Sequence, residues 1–266
     1  MEQWEVLDGG KKRPAVRRQK KALEVLRVVM LVLIILMALF FFARLLSERS
    51  GAGDQTVENR NYIYQISSDA ILDMQCCNGG LAVLTNNSVL YINRSGSTSH
   101  YNGHNYSTPA ICVAEDRVLL YDRGGTSYRI ETEGGILYEG ETDAPIITAV
   151  FGEHKNYALA LKTNDTRSTL QVFSRKYQLE FQWQCASEYI VSIDLSANGK
   201  KVAVGAMSAN QAALYTKVHL FDVRADSPLC SYDFDSAVMS VAFLSNTKAS
   251  VLCEKGLFLV SEDENT

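Results

Sequence analysis

Only four histidines occur in the 266 residues, and two of them, His100 and His104, stand in the stretch SHYNGHNYS. Tyr101, Asn102, Asn105 and Tyr106 complete that stretch. Aromatic faces beside amides and imidazoles suit stacking on a sugar or hydrogen bonding to a peptide. The same composition suits a solvated loop between strands. Zinc needs further His, Cys or carboxylate ligands at set spacing, and none stands out nearby. Asp122-Arg123-Gly124-Gly125 is a second candidate, because such a turn could present its arginine at a face of the domain. Hairpin geometry explains its glycines equally well. Asp73, Asp122 and Asp194 fall near strand ends, where two converging carboxylates make an acid–base pair, but nothing in the linear sequence brings them together. The chain has no G-x-S-x-G elbow, no HExxH and no phosphate-binding glycine loop. Asn164-Asp165-Thr166 is too short for a calcium loop. The expectation is a protein with no catalytic residue, no cofactor and no metal. Its candidate ligand or partner contacts are His100, Tyr101, His104, Tyr106, Asp122 and Arg123.

These residues lie within a repeat. Short β-branched and aromatic runs, broken by Gly, Asn, Asp and Ser, read as strands and hairpins. Similar starts recur at Ile71, Ile111, Ile146, Ile190 and Val238, at intervals of 40, 35, 44 and 48 residues. Each is followed by a second apolar run, at Leu81, Val118, Tyr157, Val202 and Ser250, and by a third, at Val89, Tyr128, Leu170, Val218 and Leu257. Four units add a fourth run, near His100, Ile136, Leu179 and Leu229. Four strands in ~40–45 residues mark a propeller blade. The second run is apolar on both faces, as a strand pressed between two neighbours must be. Asn78-Gly79-Gly80, Gly124-Gly125 and Asn198-Gly199 supply the positive φ of tight turns. A β-sandwich is the rival, but it has no reason for a four-beat repeat. The expected fold is all-β and propeller-like, with about five WD- or quinoprotein-like blades, the last incomplete. The strand candidate Tyr62-Ile63-Tyr64-Gln65-Ile66 either completes the last blade and closes a ring or belongs to an incomplete propeller.

Val28 to Ala43 are sixteen consecutive apolar residues. As a helix they rise ~24 Å at ~1.5 Å per residue, and Leu45 and Leu46 extend the span. Eight basic and four acidic side chains precede Val28, so a whole-chain charge of −4 leaves −8 for the rest. Basic residues favour the cytoplasmic side. The expected organisation is a cytoplasmic basic tail over 1–27, a single transmembrane helix over 28–46 in the bilayer, a linker over 47–60 and an extracytoplasmic domain over 61–266. A cleaved secretory signal is the alternative, although the apolar core is long for one. An acidic domain excludes nucleic acid as a partner, because phosphates need a basic surface. Six cysteines without regular spacing are expected to be free, buried thiols.

SIDLSANGKKVAVGAM (residues 192–207) resembles the strand–turn–strand element of WD-repeat and periplasmic propellers. The basic tail, the single anchor, HNYSTPAICVAEDRVLLYDRGGTSYRIET (residues 104–132) and the start at Glu188-Tyr189-Ile190 carry a broader likeness. Together they resemble an uncharacterised family of membrane-anchored, propeller-like proteins of Gram-positive, mostly clostridial bacteria, a domain of unknown function. The resemblance implies fold and location and no activity. Its members usually run longer, which favours the incomplete propeller. The functional expectation is a cell-membrane binding or scaffold protein that meets an envelope protein or a wall polymer. An extracytoplasmic enzyme using a propeller face and a transmembrane sensor are the alternatives.

Overall fold

The computed structural model describes residues 30, 31, 33–38, 70–210 and 213–262. The chain divides into two compact units, residues 1–61 and 62–266. In the first unit residues 30, 31 and 33–38 are helical, with apolar side chains from Met30 to Met37 exposed. Among the described residues no helix is long and apolar enough to cross a membrane. The expected tail, the linker, most of the 28–46 span and the strand candidate at 62–66 lie outside the described residues.

The described residues of the second unit form nineteen strands in five antiparallel sheets. The first sheet holds β1 (Ile71–Cys77), β2 (Gly80–Thr85), β3 (Ser88–Ile92) and β4 (Thr98–Gly103) in chain order. The second holds β5 (Pro109–Ala114), β6 (Arg117–Asp122), β7 (Ser127–Thr132) and β8 (Gly135–Glu141). The third holds β9 (Ile146–Phe151), β10 (Tyr157–Leu161), β11 (Ser168–Phe173) and β12 (Leu179–Cys185). The fourth holds β13 (Tyr189–Leu195), β14 (Lys201–Asn210), β15 (Ala213–Asp222) and β16 (Cys230–Phe234). The fifth has three strands, β17 (Val238–Phe243), β18 (Lys248–Cys253) and β19 (Gly256–Ser261). The four-beat repeat is therefore present with its expected starts, and among the described residues the fifth sheet has three strands.

Four apolar seams hold successive sheets together. Ala82, Leu84, Val89 and Tyr91 of the first sheet meet Ile111, Val118 and Leu120 of the second. Leu119, Tyr121 and Ile130 of the second meet Phe151, Tyr157 and Leu159 of the third. Leu170, Val172 and Phe181 of the third meet Ile193, Val202 and Phe221 of the fourth. Val218 and Leu220 of the fourth meet Val241, Val251 and Val260 of the fifth. The second strands serve two seams at once because side chains alternate across a strand. In β10, Tyr157, Leu159 and Leu161 face the second sheet, whereas Ala158 and Ala160 face the fourth. Each fully buried aliphatic side chain contributes about 1.5–3 kcal/mol. At the fifth sheet the pattern changes. Leu257 and Leu259 are 68% and 66% exposed, and Leu252 and Met239 are exposed with them.

The innermost strands are joined by side chains. Gln75 on β1 donates to the Ile111 carbonyl (3.0 Å) and accepts from the Val113 amide (3.1 Å). Cys112 on β5 donates to the Ala149 carbonyl on β9 (3.2 Å). Ser192 and Asp194 on β13 accept from the Val241 and Phe243 amides of β17, at 3.1 and 2.6 Å. These bonds satisfy strand edges that would otherwise be left unpaired.

Candidate functional site

In each four-stranded sheet the first and third hairpin turns fall at one end of the strands, and the first turn of the fifth sheet takes the corresponding place. The first turns are tied across sheets. The Asn78 amide donates to the Glu115 carbonyl (2.8 Å). Lys155 reaches back to Asp116 (2.8 Å) and Glu115 (3.3 Å). Asn156 Nδ2 donates to the Gly199 carbonyl (3.2 Å), and the Asn198 amide donates to Asn246 Oδ1 (3.0 Å). A continuous rim thus runs from the first sheet to the fifth. Asn78, Glu115, Lys155 and Gly199 all have positive φ in these turns. A cost of about 1–2 kcal/mol attends the non-glycine cases. At Lys155 that backbone places the ammonium against the neighbouring sheet's carboxylates.

Two open concavities lie along this end. One, of about 290 Å³, is lined by residues that include Cys77, Tyr91, Arg94, Ser95, Ser99 and Glu133. Burial, reinforced by Asp116, Glu133 and Glu131, raises the Cys77 thiol to about 11, so it stays protonated and unreactive at neutral pH. The other, of about 490 Å³, lies between the third and fourth sheets and is lined by His154, Glu180, Asn198, Gly199, Lys200, Val223 and Arg224. The Val223 amide donates to the Lys200 carbonyl (2.9 Å), which fixes the two basic turns side by side.

The six sequence candidates fall on the first and second sheets and do not form one site. His100 and Tyr101 belong to β4 rather than to a loop; His100 Nε2 lies 2.9 Å from Asn102 Oδ1, and Tyr101 is exposed. The strand forms there because Leu90 and Tyr91 of β3 pair with Tyr101 and His100. His104 and Tyr106 follow β4, with rings tilted at 5.6 Å. His104 Nε2 lies 3.2 Å from the Thr85 carbonyl, and burial lowers its pKa. Asp122 accepts from the Thr108 amide (2.7 Å). Arg123 is exposed and forms a parallel bridge with Ile146, while the Gly124 amide donates to the Ile146 carbonyl (2.8 Å). DRGG is therefore a clasp between the second and third sheets. Asp73, Asp122 and Asp194 lie on the first, second and fourth sheets and make no pair.

Two buried polar networks escape sequence reading. Arg129 Nε lies 2.7 Å from Glu131 Oε2, and Arg129 also donates to the Gly103 carbonyl (2.8 Å). Tyr91 Oη donates to Glu131 Oε1 (3.0 Å). Burial raises the Glu131 carboxyl, opposed by Arg129 and Tyr91. In the second network Glu188 Oε2 accepts from His219 Nε2 (3.0 Å), which leaves Nδ1 to accept the Ser231 hydroxyl (2.7 Å). Trp183 lies against the His219 ring at 5.2 Å. These are the parts of a proton relay. Neither concavity includes any of the three residues, and the network serves as a polar strap between the third and fourth sheets. Of the three, only the adjacency of His219 and Ser231 across β15 and β16 has a sequence signal, the hairpin register. Among the described residues no cluster of three or more His, Cys, Asp or Glu is arranged to hold a metal, and all six cysteines are free, with Cys76 exposed.

Repeated four-stranded antiparallel sheets stacked through apolar seams define the β-propeller class. Solved propellers agree. The chain is similar to the Neurospora crassa Pan2 WD40 domain, with 18% identity and a TM-score of 0.54 over 72% of this chain and 61% of that one. It is similar to Kluyveromyces lactis Hsv2p, with 12% identity and a TM-score of 0.53 over 70% of this chain and 64% of the other. Chaetomium thermophilum Raptor matches at 13% identity and a TM-score of 0.55, over 71% of this chain and 18% of that one. The chain spans less than two thirds of the Pan2 domain and of Hsv2p. No curated protein matches it. The chain belongs to the family of unknown function DUF5711, whose model matches residues 54–266.

Proposed function

We propose that this chain is a membrane-tethered binding module that presents the rim end of its propeller to an envelope protein or a wall polymer outside the cytoplasm. One observation carries the binding reading: cross-sheet ties fix the first turns into a continuous rim beside two open concavities. A preformed surface loses little freedom on binding. The tether and its sidedness rest on the apolar run Val28–Ala43 and the basic residues before it.

The test uses the full chain in intact cells. A photo-crosslinking residue at Ser95 or Lys200, on the rim, should capture the same envelope component repeatedly; one at Arg123, on the DRGG clasp, should not. Equal capture at all three positions, or none at the rim, overturns the reading. A maleimide that cannot cross the bilayer should label Cys76, whose side chain is exposed. Labelling of Cys76 only after the cells are opened overturns the sidedness.

A further inference from the structure

We infer that the concavity between the third and fourth sheets binds a phosphorylated polyol, with the phosphate held by Lys200, Arg224 and His154 and the hydroxyls by Glu180. The inference rests on the rim being the binding surface and names the ligand class for one part of it.

The residues after the first 27 carry a net charge of −8, so a basic concavity there runs against the charge of its surroundings. His154 comes from the turn between β9 and β10, Lys200 from that between β13 and β14, and Arg224 from that between β15 and β16. Their chain neighbours are occupied: Lys155 pairs with Asp116 and Glu115, and Lys201 with Glu262. Among the described residues neither Lys200 nor Arg224 has a carboxylate within ion-pair distance. The nearby Asp222 carboxylate instead holds its own turn, accepting from the Arg224 amide at 2.9 Å.

The positions are preorganised. Asn198 Oδ1 accepts from the Lys200 amide (3.1 Å), and Asn156 locks Gly199 across the sheet boundary. A guanidinium, an ammonium and an imidazole supplied to one concavity by three turns suit the several oxygens of a phosphate. Glu180 also lines the concavity; a carboxylate disfavours a second phosphate and suits hydroxyl donors. A concavity of about 490 Å³ accommodates such a molecule. Glycerol phosphate is the smallest member of this class, either free or as the headgroup of phosphatidylglycerol.

The full chain in detergent micelles is titrated calorimetrically with glycerol 3-phosphate, inorganic phosphate and glycerol. Saturable binding of glycerol 3-phosphate is expected, tighter than that of inorganic phosphate, with glycerol silent. Lys200→Gln and Arg224→Gln should each weaken it about tenfold, with unchanged thermal midpoints. Lys176→Gln, outside the concavity, should leave it unaltered. Glu180→Gln should abolish the preference over inorganic phosphate. Competition by phosphatidylglycerol vesicles, but not phosphatidylcholine vesicles, assigns the headgroup as the source; absence of competition assigns a soluble or polymeric one. No saturable heat, or an equal loss in Lys176→Gln, overturns the inference. Rim crosslinking that persists without glycerol phosphate binding overturns this inference alone and leaves the broader reading intact.

Discussion

Asp194 shows what a single side chain does between two sheets. Its Oδ2 accepts from the Phe243 amide, and burial raises its carboxyl pKa above the ordinary value. A raised acid holds its proton more readily folded than unfolded. Stability from this group is therefore greatest below the unfolded value of about 4 and declines as pH rises through the folded one. Asp116 has the opposite sign: Lys155 holds it low, and its small contribution is lost on acidification. Asp194→Asn keeps an acceptor without the charge and should flatten the decline in urea midpoint as the pH rises above the ordinary carboxyl value. Asp194→Ala strands the Phe243 amide and should cost about 1–3 kcal/mol by urea titration. Aspartates near strand ends were readable in the sequence; that Asp194 clamps β13 to β17 was not, because its partner is a backbone amide 49 residues away. The Glu188–His219–Ser231 strap was hidden for a related reason, since its members come from a loop and two strands and form no motif.

At the scale of elements, the closeness of one sheet to the next is set by what its second strand leaves out. Gly205 on β14 faces β17, and a Cβ there would meet Val238 Cγ1 at 2.9 Å and Val241 Cγ1 at 3.3 Å. Gly205→Ala should push the fourth and fifth sheets apart and destabilise the domain by about 1–3 kcal/mol, read as a lower denaturant midpoint with little change in its slope. Strand order was legible because two-faced apolar runs such as YALAL have little alternative to burial between sheets. Turns were legible where Gly or Asn marks positive φ, as at Asn78, Gly124 and Gly199. They were illegible at Glu115 and Lys155, where tertiary ties hold a conformation that those residue types disfavour. The ten-residue lengths of β14 and β15 were also missed, because Met207 to Asn210 and Ala213 to Thr216 pair as backbone while their sequence carries no strand alternation.

For the whole molecule, the periodicity of the sequence led to the stacked sheets because each period must bury its faces against the next. The charge asymmetry around Val28 bears on location alone, and the expected span and the 62–66 strand fall largely or wholly outside the described residues. The candidate site was the least legible. Its cations are spread over three turns that only the stacking brings to one concavity. Among the described residues the seams run from each sheet to its successor, and where cohesion is passed between neighbours in this way, repeats are expected to loosen from their ends. Deuterium should enter the amides of β18 and β2 earliest among the second strands. It should reach β10 last, since all five of its residues are 2% exposed or less. Simultaneous exchange in every sheet would reveal a single cooperative body instead. Should exchange run inward from β2 and β18, the first or fifth sheet can open while the third and fourth keep their packing, and the concavity between them keeps its shape.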